Sequence, residues 1–296
     1  MKNWIKKAMV TLISLVSIHA EAQQTILYRG DWHPESVISD GQFLFVTDIG
    51  KKLDPLSKDG DGSISKFSLD GTLIKRNISL ITLHAPKGMG ILGRTVFVAD
   101  LDRLVGIDLI TGKPVVSIDF SGFGVHLLND ITVKNDSTLF VSATDKNVIY
   151  EVCPGKPDQI HVLNVAEIKG INGLFYDPAK NRLYVAGFGT FTSATGIGQV
   201  GYIDWTESGL KFTGLSGITG FFDGIALVDA DHVVVSDWVD LANQRGVLKK
   251  INLKTRNVTL LNTKSIAGPA DFMFDKNKSE LIVPAALNGE LLKQTL

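Results

Sequence analysis

One short pattern, a polar residue followed by an apolar run, a turn and a second apolar run ending in a small or acidic residue, recurs six times and sets the architecture. The six heads are Glu35 before "SVISDGQFLFVTD", Lys87 before "GMGILGRTVFVAD", Asn129 before "DITVKNDSTLFVSA", Asn172 before "GLFYDPAKNRLYVAG", Asp223 before "GIALVDADHVVVSD" and Asp271 before "FMFDKNKSELIVP". Their spacings of 52, 42, 43, 51 and 48 residues match one four-stranded blade per copy. Third strands follow in each copy, as in "RLVGIDLITGK" and "GVLKKINLKTRN", and most close on a Gly or Asn turn. The expected fold is therefore all-β: a six-bladed β-propeller of four-stranded antiparallel blades. The last copy stops at Leu296 one strand short, so "TILYR" at 25 to 29 is expected to supply its outer strand and close the ring.

The first 22 residues stand apart. Lys2, Lys6 and Lys7 precede an apolar stretch from Ala8 to Ala20, and Ala20-Glu21-Ala22 has the form of a cleavage site. They read as a secretory signal peptide, leaving residues 23 to 296 as a single exported domain, periplasmic or secreted, with no membrane insertion. With three Lys and one Glu leaving, the formal charge moves from −1 to −3, which is no footprint for nucleic acid. The single cysteine, Cys153, precedes a Pro-Gly turn and excludes an internal disulfide.

Two motifs are set aside by the repeat register. "GIGQVG" at 196 to 201 has dinucleotide-site spacing, but its glycines feed a strand where that site needs a helix. "DGDGS" at 59 to 63 lacks the bidentate Glu of a calcium loop and reads as a turn.

In a propeller the innermost strand of each blade faces the central channel, so the six heads converge on one axis. Three acids, two amides and one lysine carry a local charge of −2 there, which is costly to bury without compensation. A divalent cation compensates it, and an all-oxygen ligand set suits Ca²⁺. Two other readings stay open: the heads as turn formers only, and the Lys87 ammonium as an internal counter-ion replacing the metal. The acids ending second strands, Asp48, Asp100 and Asp237, are expected to bond hairpin backbone. Long loops after the second strands of blades one, four and five, within 49 to 62, 188 to 198 and 238 to 245, should rim the site as a lid. His33, His84 and His126 lie on the same face, and His126 joins Asn129 and Lys87 as a candidate substrate contact.

The heads "PES", "LNDI", "INGLFYDP" and "FDGIAL", in this order, resemble the metal-site motifs of the senescence-marker-protein, gluconolactonase and luciferin-regenerating-enzyme propellers, and more distantly the paraoxonases. The resemblance implies one divalent ion held by Glu35, Asn172 and Asp223, with Asn129 touching metal or substrate, and hydrolysis of a lactone or related ester. In the mechanism it implies, Asp223 or Asp271 accepts a proton, and Lys87 or Asn129 holds the developing oxyanion or a substrate carboxylate. The chain departs from the family pattern in Ser36, where a Gly is usual, in Leu127, where sugar-lactone members carry Arg, and in Lys87. The competing reading is a non-catalytic propeller that binds a small molecule or protein, its axial ion structural.

Overall fold

The computed structural model describes residues 23–164, 168–190, 196–262 and 264–296, so the expected signal peptide lies outside the described residues. It is a six-bladed β-propeller, each blade a four-stranded antiparallel sheet. Blades one to five each use four consecutive strands, beginning with the inner strands Pro34–Ser39, Pro86–Leu92, Leu128–Asn135, Ile171–Asp177 and Phe222–Asp229. Blade six runs Met273–Asp275, Glu280–Ala285 and Glu290–Thr295 from the C-terminus, and Gln24–Arg29 pairs antiparallel with the last of these as its outer strand. "GIGQVG" feeds the strand Gly198–Thr206, as its place in the repeat requires.

The blades are held face to face by their apolar strand residues. Phe97, Leu104, Phe120, Val141 and Tyr150 are buried between blades two and three, and Val234, Leu248, Phe272, Leu281 and Val283 between five and six. Such sheet-on-sheet layers are the main source of stability in a fold whose only helix among the described residues is the short 3-10 turn Ser121–Phe123.

The inner strands share one irregularity that builds the channel. Pro34 pairs with Asp48 but Val37 with Val46, so three steps on the inner strand oppose two on its neighbour. The same slip occurs between Pro86 and Met89, Leu128 and Ile131, Ile171 and Leu174, and Phe222 and Ile225. A bulge of this kind removes two residues from regular pairing and re-aims their side chains. Their backbone groups then need other partners. In blades one, three and five a second-strand hydroxyl takes the N–H of the second bulged residue: Thr47 from Ser36 (2.9 Å), Ser142 from Asp130 (2.8 Å) and Ser236 from Gly224 (2.8 Å). Where neighbouring blades approach most closely only glycine fits, for a Cβ on Gly173 would stand 2.2 Å from the Asp223 carbonyl oxygen.

This register corrects the sixth head. Glu35, Lys87, Asn129, Asn172 and Asp223 are each the second residue of an inner strand, directly after the residue that pairs with the end of the second strand. In blade six that pairing residue is Pro269, bridged to Ala285, so the equivalent head is Ala270. Asp271 falls one step further along, in the layer of Ser36 and Asp130.

Candidate metal and active site

The axial ring consists of Glu35, Lys87, Asn129, Asn172 and Asp223, all buried, with Ala270 in the sixth place. The five polar heads line a cavity of about 240 Å³ whose remaining walls are largely apolar, including Leu53, Pro55, Leu127, Phe188, Trp238 and Leu241. The described parts of the three long loops, from blades one, four and five, supply most of that wall; residues 191 to 195 of the blade-four loop lie outside the described residues.

The second-strand acids of blades one, two and five pin the segments that enter their inner strands. Asp48 accepts from the N–H of His33 (2.9 Å) and Gly50 (3.2 Å), Asp100 from His84 (2.9 Å) and Ala85 (3.0 Å), and Asp237 from Phe221 (3.0 Å) and Val239 (2.9 Å). Each carboxylate therefore binds backbone at the entry to its own inner strand, which is the expected structural role.

Inside the ring, hydrogen bonding leaves an unusual residue of acceptors. Trp238 donates its indole N–H to Asp223 Oδ2 (3.0 Å); the Asn172 side chain lies close enough to ease the upward pull of burial on the Asp223 pKa, but Asp223 Oδ1 meets no donor in hydrogen-bond geometry. Glu35 Oε2 and Asn172 Oδ1 are likewise buried and unpartnered. Asn129 donates one amide N–H to Thr144 Oγ1 (3.1 Å), which in turn donates to the Ile171 carbonyl (2.8 Å), leaving its second N–H and its oxygen uncommitted. Buried acceptors without donors are rare because each forfeits its hydration. Three on one ring, all oxygen, fit a hard cation. Among the described residues no three His, Cys, Asp or Glu are grouped to hold a metal, so the fit depends on the amides as well as the carboxylates.

Lys87 does not discharge these acceptors. Its ammonium donates to the carbonyls of Pro55 (2.8 Å) and Ala85 (2.9 Å), and no ion pair joins it to Glu35 or Asp223 among the described residues. Burial pushes its pKa down, against the pull of the Glu35 carboxylate.

Burial, reinforced by Asp223, holds the Glu35 carboxyl well above the usual carboxylate range, and burial with the Asp271 charge pushes Asp223 up to about 7. Asp271 does not line the cavity. It accepts from Ser36 Oγ (2.5 Å), and burial pushes it up to about 6. Asp130, which the sequence reading missed beside Asn129, accepts from the backbone N–H of Ile131 and Leu174 (both 2.6 Å). It shares a second axial cavity with Asp271, about 280 Å³ in volume. Trp238 was also missed, although it directly follows the loop-pinning Asp237. Of the three histidines, His33 bonds the Ala286 carbonyl through Nδ1 (2.8 Å), His84 has a buried Nδ1 without a partner but lies outside the cavity wall, and His126 is exposed and also outside it.

These carboxyls give a stability signature with a definite sign. Asp223 and Asp271 titrate at about 7 and 6 in the fold against an ordinary value of 3.8, so between about pH 4 and 7 the folded chain holds more protons than the unfolded one. Stability without metal should fall as pH rises through that window. Melting followed in chelator should drop by roughly 5 °C or more between pH 5 and 7.5. Calcium should recover most of the loss at pH 7.5, whereas a flat profile would show that the acids do not carry this burden.

No family model and no curated protein sequence matches the chain. Solved structures do. Luciferin-regenerating enzyme superposes with a TM-score of 0.64 at 16% identity, covering 93% of this chain and 95% of that one. A catalytically inactive virginiamycin B lyase from Staphylococcus aureus, with quinupristin, gives 0.61 at 14%, covering 93% and 99%. Kuenenia stuttgartiensis hydrazine synthase gives 0.60 at 14%, covering 87% and 75%. The fold is shared with propeller enzymes. At these identities the likeness is one of fold, and the chemistry of the ring has to be argued from its own residues.

Proposed function

We propose that the protein is an exported hydrolase that opens a lactone or related ester at an axial divalent-cation site, the cation being Ca²⁺. The observation that carries this reading is the set of unpartnered buried oxygens on Glu35, Asn172 and Asp223 at the wall of one cavity. Glu35, Asn172 and Asp223 would hold the ion with Asn129, whose amide is oriented by one N–H bond to Thr144. A bound divalent ion supplies Lewis acidity toward a carbonyl and toward water.

The chain's own groups divide the remaining work. Of the two acids considered as proton acceptor, only Asp223 lines the cavity. The Lys87 ammonium spends two of its three N–H bonds on Pro55 and Ala85, so its third can meet a substrate oxygen as negative charge develops. Asn129 gives one of its two amide N–H bonds to Thr144, so its other N–H can meet the oxyanion while its oxygen faces the ion. The apolar walls exclude water around these groups and favour a substrate with hydrocarbon surface.

The predominance of apolar wall favours, as second reading, a binding propeller without turnover. A panel of lactones and aryl esters, assayed with calcium and with chelator, separates the two. Hydrolysis should give an opened lactone heavier by one water, or an acid and a phenol from an aryl ester, and fall at least about 100-fold in chelator. A lyase stands among the structural neighbours, so a ring-opened product of unchanged mass would reassign the reaction to elimination. If the ion binds and nothing in the panel reacts, the binding reading replaces the hydrolase.

A further inference from the structure

A groove of about 870 Å³ lies beside the axial cavity, lined by Phe221, Val239, Leu241, Arg245, Leu260 and Lys264 among others. Leu241 belongs to both cavities. The partition near the axis is aromatic: Phe221 packs on Phe188 (ring centroids 5.4 Å), and Phe188 with Trp238 faces the ring. Outward, the groove reaches Leu260 on the outermost strand of blade five, Val258–Leu260. It therefore crosses the blade from its inner to its outer strand, about 14 Å at ordinary strand spacing.

Exposed apolar side chains run along the groove between polar ones such as Asp240, Asn262 and Lys264. Val239, Leu241 and Leu260 are 48%, 38% and 57% exposed. Val239 also has φ 39°, a left-handed conformation unusual for a β-branched residue, and Asp237 holds it there through its N–H. Most polar groups within the groove are already paired; the Lys264 ammonium, with no ion pair or hydrogen bond among the described residues, is the exception. Asn262 accepts from the Leu248 N–H (2.7 Å) and donates to the Lys264 carbonyl (2.6 Å), and Arg245 is paired with Asp240 (2.9 Å). Apart from Lys264 little is left to recognise a polar ligand, and a groove whose Val239, Leu241 and Leu260 meet, at Leu241, the cavity that carries the axial polar ring matches a molecule with a polar head and a linear hydrocarbon tail.

We infer that the groove is a tail subsite: the ligand places its carbonyl head at the axial ring and lays a medium-length, straight acyl or alkyl chain over Leu241 toward Leu260. The inference rests on the proposed use of the axial ring for the head and narrows its substrate class to acyl-chain lactones and esters.

Neutral amides that resist hydrolysis test it separately from turnover. Binding of butanamide, octanamide and decanamide, measured by calorimetry on the calcium-treated protein, should strengthen about 10- to 100-fold from butanamide to octanamide. The increment should be smaller than for full burial, because the groove is open to solvent. Ala242→Trp, which fills the groove, should bring the octanamide-to-butanamide ratio to about one. Leu260→Asp, on an exposed outer strand, should lower the decanamide ratio and tests the same path if the tryptophan variant fails to fold. A flat chain-length series, or ratios unmoved by Leu260→Asp, would overturn the tail subsite even if esters are hydrolysed. A steep series in a protein that hydrolyses nothing would keep it and remove the hydrolase.

Discussion

A chain lacking residues 23–30 should not fold to a stable ring. Those residues contain the strand Gln24–Arg29, which pairs with Glu290–Thr295 over five residue pairs. Tyr28 stacks edge-on against Trp32 and Phe67, with ring centroids 5.5 and 5.0 Å away, and Leu27 packs with the same cluster. Arg29 donates to Glu290 through Nε (2.7 Å), and that glutamate is buried. Deletion removes the aromatic contact, worth about 3–5 kcal/mol by analogy with Phe→Ala substitutions. The lost ion pair adds little, because Arg29 is 65% exposed and Glu290 keeps its bond from Asn288. The aromatic contact and the five lost strand pairs still take a large share of the stability of an ordinary domain, about 5–15 kcal/mol. Circular dichroism should show loss of the cooperative melt. A truncated chain that melts like its parent would show that the ring does not depend on this strand.

Asp223→Ala should abolish cation binding, weakening it at least about 100-fold, and stop any turnover that depends on the ion. The substitution removes a charged acceptor whose Oδ1 has no other partner, and it leaves the Trp238 indole N–H without its acceptor. Asp223→Asn keeps the shape and isolates the charge. Asp271→Asn is the discriminating comparison. It changes a carboxylate of the same type that is bonded to Ser36 and absent from the cavity wall, so it should retain most of the affinity. Calcium titration by calorimetry reads all three. Equal losses at 223 and 271 would mean that the ion sits lower in the channel, between the two layers of acids. Retained affinity in Asp223→Ala would remove the site as drawn.

The blades were readable because a bulged inner strand writes the same text each time: a polar residue at the axis, then apolar residues returning to the core. Five heads were legible on that ground, and the polar-then-apolar rule failed only in blade six. There the inner strand is short, Met273–Asp275, and Pro269 reaches its partner through an isolated bridge, so the first polar residue is not the head. Asp130 was hidden by Asn129, since alternation along a strand gives no reason to send two neighbours inward; only the bulge does. Trp238 was invisible for a different reason. Its bond to Asp223 joins the end of one strand to the start of its antiparallel neighbour, and periodicity does not report which loop side chain turns back over the axis. The lid was legible from loop length, but the groove it shares with the outer strand needed the packing of Leu241 and Phe221.

The bulges also bear on how such a chain changes through time. Regular pairing resumes after two residues, and in three blades the freed N–H is taken by a neighbouring Thr or Ser, whatever side chain the bulge carries. The axial positions thus work as sockets whose occupants can be exchanged one blade at a time without rewriting the sheet. Ala270 is an empty socket beside Glu35 and Asp223, and Lys87 a filled one of opposite sign. A lineage could move between binding a cation, binding an anion and binding neither through single substitutions at the axis, while the six blades around it stayed the same.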